Sequence, residues 1–268
     1  MRGSVTSVFS EAEEFEAALR AEGVVSLLVT GIGAFRARLT QLSLHNLRVS
    51  AADEHLPRIA FVAVPADMIL VSLARGGTPA PIWGGVRLGT DEIMTLGAGE
   101  RLHVRTDGPC RWGSIWFPTV ELVSYGSALT GETFAVPFAA RWRPRPAMIR
   151  HLRHLHSAGI RAAERSSNIF FGDEAAHGLE QQLIETLVEC LSNGSVIEST
   201  SAIRGHQDVV IRFEALLRAQ PATTLRVEDI CGTLGVSART LCLSCEEQLG
   251  MSPVEYVRRR RLQQVRGA

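Results

Sequence analysis

The sequence predicts an α+β chain of several domains: an antiparallel β-barrel or sandwich, then a helical segment, then an all-α unit at the C-terminal end. Three observations predict it. Short apolar segments separated by Gly, Pro, Asp and Asn recur between residues 24 and 117, a leucine every fourth residue follows later, and Leu225 to Arg266 is punctuated as short helices on a tight turn. A length of 268 residues suffices for two domains, and 46% apolar content supplies their cores.

In chain order, Ser10-Glu11-Ala12-Glu13 is a capping-box pattern for a helix running to about Glu22, with Phe15 and Leu19 inward and Gly23 as its stop. Strands are expected over 24–29, 35–39, 42–49, 59–64, 68–73, 86–88, 92–96, 102–105 and 112–117. Trp83, Trp112, Trp116 and Phe117 either line a pocket or fill a small β-core. His103 stands between Arg101 and Arg105 without the His-x-His pair and downstream carboxylate that a metal of this kind of barrel needs. No metal and no cofactor are therefore expected.

Arg141-Trp142-Arg143-Pro144-Arg145-Pro146 marks a boundary where the sheet stops and helix starts. The next helix carries His151, His154 and His156 among arginines, whose charge opposes a bound cation; it reads as a solvated or interface helix. Leu179, Leu183, Leu187 and Leu191 then form a broad apolar stripe with Ile184 and Val188 alongside. The stripe packs on its own domain or pairs with a second copy; the dimerisation set is these four leucines. Residues 192–206 are small and polar, as a linker is, and helix resumes with Val209, Phe213, Leu216 and Leu217 inward until Pro221. The expected domains are thus 1–140, 141–195 and 206–268.

The last stretch is the most specific. Val227, Ile230, Cys231 and Leu234 have helical spacing, Gly235 supplies a positive φ for a sharp turn, and Ser237 caps a second helix with Leu241, Cys245 and Leu249 inward and Gly250 at its end. Ser252-Pro253-Val254-Glu255 opens a third helix with a cap, proline at the first position and a capping-box Glu. Cys242 and Cys245 also form a C-x-x-C with Cys231 near in the pattern; small inward residues that pack are the plainer reading than a thiol switch.

The runs GVSARTL and LGMSPVEYVRRRRL resemble the first helix-turn-helix and connecting helix of the AraC/XylS family of bacterial transcription regulators, over residues 206–268. The resemblance implies a cupin-like effector-binding domain at the N-terminus, for which Gly97-Ala98-Gly99-Glu100 before a strand fits, a helical dimerisation segment, and a regulator rather than an enzyme. It implies double-stranded promoter DNA, a second copy, a small-molecule effector and RNA polymerase as partners. The implied DNA-binding residues are Ser237, Ala238, Arg239, Thr240, Cys242 and Leu243 at the start of the reading helix, with Arg258, Arg259, Arg260 and Arg261 for phosphates. Arg239 is the side chain able to chelate a guanine. Cys242 and Leu243 depart from the longer polar side chains usual in the family, so base readout is expected to be narrow. Family members have a second helix-turn-helix beyond the connecting helix, and position 268 comes before one begins. Two-groove recognition is therefore not expected of this stretch by itself. Two other readings stay open: an effector-binding or dimerising protein that acts through mixed dimers without operator recognition, and a cupin-type metal enzyme.

Charge and cysteine usage bound the rest. Net charge is zero, yet residues 141–165 hold seven arginines against one carboxylate and 258–266 hold five arginines with no acid. All 28 basic residues are arginine, so any phosphate contact is made by a planar guanidinium. Five scattered cysteines are not a secreted disulfide framework, no apolar run approaches the ~20 residues of a membrane span, and the N-terminus resembles no targeting sequence. A cytoplasmic location is expected.

Overall fold

The computed structural model describes residues 3–76, 79–135, 139–165, 173–197, 201–219 and 226–266. Its strands are β1 (Gly3–Phe9), β2 (Val24–Val29), β3 (Ala37–Ser43), β4 (Arg48–Glu54), β5 (Arg58–Ala63), β6 (Met68–Ala74), β7 (Ile82–Trp83), β8 (Val86–Arg87), β9 (Ile93–Leu96), β10 (Arg101–Thr106), β11 (Cys110–Pro118), β12 (Ala139–Arg143) and β13 (Ser195–Ile197). The helices are α1 (Ala12–Leu19), α2 (Thr119–Thr130), α3 (Pro146–Arg165), α4 (Asp173–Ser192), α5 (Ser201–Ala219), α6 (Val227–Leu234), α7 (Ala238–Leu249) and α8 (Pro253–Arg266).

Two antiparallel sheets face each other. One has the order β1-β3-β4-β11-β6-β9-β12-β13 and the other β2-β5-β10-β7-β8. Because side chains alternate across a strand, each sheet divides its residues between two cores. Leu39, Leu70, Leu96 and Trp112 of the first sheet meet Ala60, Val62, Leu102 and Val104 of the second in the space between them. The opposite face of the first sheet, with Val49, Val71, Leu73 and Ile115, is covered by α3 and α4. The opposite face of the second presents Leu28 and Ile59 to α5, α6, α7 and α8. The order of layers is therefore helices, sheet, sheet, helices.

Several elements differ from the sequence expectation. β2 has the expected bounds, but β1, β7, α2, β12 and β13 have no counterpart in it. Helix α1 starts after Glu11, which makes no side-chain cap, so the capping box at Ser10 does not form. Strand β12 runs across the expected boundary at residue 140 and pairs with both β9 and β13. The helical pair α3–α4 is bracketed by two neighbouring strands of one sheet, and the described residues of both helices share that sheet's core. The expected linker 192–206 contains β13 and the start of α5; residues 198–200, like Pro221 and Leu225, lie outside the described residues.

The leucine stripe goes inward. Leu183 and Leu187 are 0% exposed and Leu191 is buried against the first sheet, while Leu179 packs beside them on Gly159. Of the two readings of the stripe, packing within the chain is what these leucines do, and the three buried side chains leave no surface for a second copy. His156 is buried with them, its Nε2 donating to the Ser50 carbonyl at 3.0 Å, whereas His151 and His154 face outward. Among the described residues no group of three or more His, Cys, Asp or Glu is placed to hold a metal ion, and no helix is long and apolar enough to cross a membrane.

Candidate nucleic-acid interface and the cavity behind it

Helices α6 and α7 are joined through Gly235, whose φ of 66° is the left-handed conformation that a side chain would strain. The turn closes with Val236 N–H donating to the Cys231 carbonyl at 3.1 Å. Ser237 caps α7: the Thr240 N–H donates to its Oγ at 3.0 Å, and the two hydroxyls lie 2.8 Å apart. Thr240 thus serves the cap as well as the surface. Gly250, with φ 72°, ends the helix.

The two faces of α7 are sharply different. Leu241, Ser244, Cys245, Gln248 and Leu249 are buried, with Val209, Phe213 and Leu217 of α5 as their neighbours in one core. Ser237, Ala238 and Arg239 are exposed, Leu243 is 43% exposed, and Thr240 and Cys242 are half-buried. The first two turns of the helix therefore present a small, mixed surface with one guanidinium, that of Arg239. Burial pushes the Cys245 thiol up to about 12, so it is a packed, protonated group and not a thiolate.

The arginines of α8 divide. Ser252 caps the helix, its Oγ accepting from Glu255 N–H at 3.3 Å, but the Glu255 carboxylate turns to Arg258 and Arg259, at 3.1 and 2.6 Å, in place of closing the box. Arg258 remains exposed. Arg259 also donates to the Thr30 carbonyl at 2.7 Å, at the end of β2, and Gln263 donates to Leu27 O of β2 at 2.7 Å. Arg260 is paired with Glu214 of α5. Arg259 and Arg260, both expected on phosphates, thus fasten α8 to its neighbours, while Arg258 pairs with Glu255 inside α8; the sequence gives no sign of the first two engagements because their partners are remote.

Glu214 is the centre of that fastening. It is fully buried and accepts from Tyr256 Oη at 2.9 Å as well as from Arg260, with His103 Nε2 of β10 at 3.7 Å. Burial alone raises its pKa, but the His103 imidazole and the Arg260 guanidinium outweigh it and hold the carboxyl down at about 2. The His103 ring lies against Phe61 and Tyr256 between the sheet and the helices.

Behind this face, between the sheets, lies a cavity of about 30 Å³ lined by Glu22, Arg58, Ser72, Trp83, Trp112 and Ser114 among others. Glu22, expected near the end of a helix, is buried here and accepts from Ser50 Oγ at 2.7 Å, Gln41 Nε2 at 2.8 Å and Trp116 Nε1 at 2.8 Å. Glu54 accepts from Arg58 Nε at 2.8 Å and Nη2 at 2.9 Å, and from Trp112 Nε1. Of the four aromatics singled out in the sequence, Trp83 and Trp112 line this cavity, while Trp116 and Phe117 are buried in the cores on either side of the sheet.

No protein-family model and no curated protein matches the sequence. Among solved structures, ToxT from Vibrio cholerae aligns over 80% of each chain at 11% identity, with a TM-score of 0.31. The AraC-like transcriptional activator CuxR superposes with a TM-score of 0.50 over 99% of this chain and 95% of its own, at 18% identity. Coverage of that extent takes in both sheets and all the helices: this chain has the fold of an AraC-like transcription regulator.

Proposed function

We propose that the chain is a transcription regulator of AraC type that binds double-stranded promoter DNA in the cytoplasm through the exposed N-terminal half of α7, under control of a small molecule held between the sheets. The observation that carries this reading is the division of α7: one face is locked into a helix-turn-helix core, and the other offers Ser237, Ala238, Arg239 and Leu243 to a groove. Arg239 reads a guanine edge, Leu243 and Cys242 meet a thymine methyl, and Arg258 with Arg261 supplies phosphate contacts. RNA polymerase is the partner on which such a regulator acts. The test is a binding titration of the full chain on DNA flanking its own gene and on a scrambled duplex. A preference of about 10³-fold or more at physiological salt is expected of an operator-reading protein.

A second reading is favoured by the engagement of Arg259 and Arg260 inside the chain. With fewer guanidinium groups left for phosphates, the protein acts through mixed assemblies without operator recognition. Equal affinity for both duplexes, with binding that decays steeply with salt, selects this alternative.

A further inference from the structure

The cavity between the sheets holds little more than one water, whereas small-molecule sites occupy about 300–1,000 Å³. A ligand entering it must displace part of the wall. Most lining residues stand on strands bonded along both edges: Val62 and Ala60 on β5, Leu70 and Ser72 on β6, Ser114 on β11. Trp83 is held by far less. Its strand β7 has two residues, paired at two positions to β10 and at two to the equally short edge strand β8, with one further bond from Gly84 N–H to the His103 carbonyl. Among the described residues the buried Trp83 indole N–H has no acceptor. Trp83 also lines a cleft of about 500 Å³ on its other side, between β9, β12, β13 and helix α5. One indole therefore separates the small cavity from the space into which the wall can yield.

The two residues after Trp83 matter as much. Gly84 and Gly85, with φ of 52° and 81°, form the two-residue turn of the β7–β8 hairpin, a geometry with positive φ at both positions. That turn is gripped by the helix-turn-helix unit. Gln248 of α7 donates from Nε2 to the Gly84 carbonyl at 3.2 Å, and a Cβ on Gly85 would stand 2.6 Å from the same Nε2. On the α5 side, a Cβ on Gly84 would come within 3.1 Å of Gln207 Oε1. Glycine is favoured at both places by the positive φ, and the side-chain ends of Gln207 on α5 and of Gln248 and Glu247 on α7 close over the turn. Gln248 is itself fully buried, on the face of α7 opposite Arg239.

We propose that the β7–β8 hairpin couples the cavity to the reading helix: an occupant that moves Trp83 out of the cavity wall draws the Gly84–Gly85 turn away from Gln248 and releases α7 from the β-unit. The hairpin has only two residue pairs and touches cavity, cleft and α7 together; β10, which also reaches all three, is a six-residue strand held by β5 along its length. Its purpose rests on the regulator reading above, but the coupling is a property of the chain and is measurable with neither DNA nor effector.

The experiment is amide hydrogen exchange on the full chain, comparing wild type with Trp83→Ala, Trp83→Phe and Gln248→Ala, and with Leu70→Ala as a cavity-lining change outside the hairpin. Trp83→Ala and Trp83→Phe should both raise exchange at residues 245–249, by about two- to tenfold for loss of one net hydrogen bond, while Leu70→Ala leaves that segment as it is. Coupling is reciprocal. Gln248→Ala should therefore make Trp83 more accessible to acrylamide, read as the quenching component absent from Trp83→Phe. Unchanged exchange in α7 for a folded Trp83→Phe, or an equal rise in Leu70→Ala, overturns the proposal. So does unaltered quenching in Gln248→Ala. Failure of promoter binding with these exchange effects intact would count against the regulator reading alone.

Discussion

Tyr256 Oη donates a 2.9 Å hydrogen bond to Glu214 Oε2, joining α8 to α5 inside the core that also receives His103 from the β-unit. The phenol stays a donor, since burial and the Glu214 charge push its pKa up. Removing this one hydroxyl in Tyr256→Phe leaves a buried carboxylate short of a partner and should cost about 1.5–3 kcal/mol in urea unfolding, the range for hydrogen bonds to charged groups.

The same carboxylate predicts an acid limit. Its pKa falls from an ordinary 4.5 to about 2 in the folded chain, so the unfolded chain binds the proton first. The stabilisation is complete above about pH 4.5 and is lost as pH falls toward 2, with a size on the order of 3 kcal/mol. In Glu214→Gln the stability curve should be lower at pH 7 and flatter between pH 4.5 and 2. Parallel curves would show that the carboxylate does not titrate as the geometry requires.

His156 gives the opposite case. Burial drives its pKa down from 6.5 to about 4, against the hydrogen bond to Ser50, so the ring is neutral in the folded chain and must be charged on acid unfolding. The unfolded chain takes up the proton below pH 6.5, and stability should therefore fall on acidification from 6.5 to about 4. His156→Gln removes that slope and lowers stability at neutral pH. The measurement is chemical denaturation at half-unit steps of pH, and retention of the full slope in the variant would assign it to another group.

Leu183 and Leu187 are 0% exposed, which turns a test of association into a test of packing. Leu187→Ala should cost about 2–5 kcal/mol by transfer and cavity terms, and sedimentation of the folded fraction should not change. A shift in mass without loss of stability would return the stripe to a subunit interface.

How much of this was legible in the sequence depended on the range of the chemistry. Gly235, Ser237 and Gly250 act on backbone atoms within a few residues, so turn, cap and stop could be read directly and stand where expected. The periodicity of Val209, Phe213 and Leu217 and the bounds of β2 were equally local. Helix α2 left no such mark, because Val120, Tyr125 and Leu129 are exposed on it and blur its polar face. Strand β7 has only two residues, too short for any alternation to show. The engagements of Arg259 and Arg260 lie 229 and 46 residues away, and Glu22 found its donors on β3, β4 and β11. These depend on how the sheets stack, which no local pattern records.

The reading face itself supplies the last prediction. Arg239 is exposed one residue into α7, whereas Thr240 and Ser237 share their hydroxyls in the cap and Leu243 offers only apolar contact. A bidentate guanidinium on guanine O6 and N7 discriminates by about 1–3 kcal/mol, and no neighbouring side chain at the start of this helix can replace it. Arg239→Ala should therefore relax base preference at one position of the site and leave binding to scrambled DNA nearly as it was, since the proposed phosphate contacts of α8 are untouched by the change. The measurement is an anisotropy titration against a promoter fragment and its single-base variants at fixed salt. Uniform weakening on every duplex would mean that Arg239 holds a phosphate, and the salt slope should then drop by about 0.9, the share of a single neutralised phosphate.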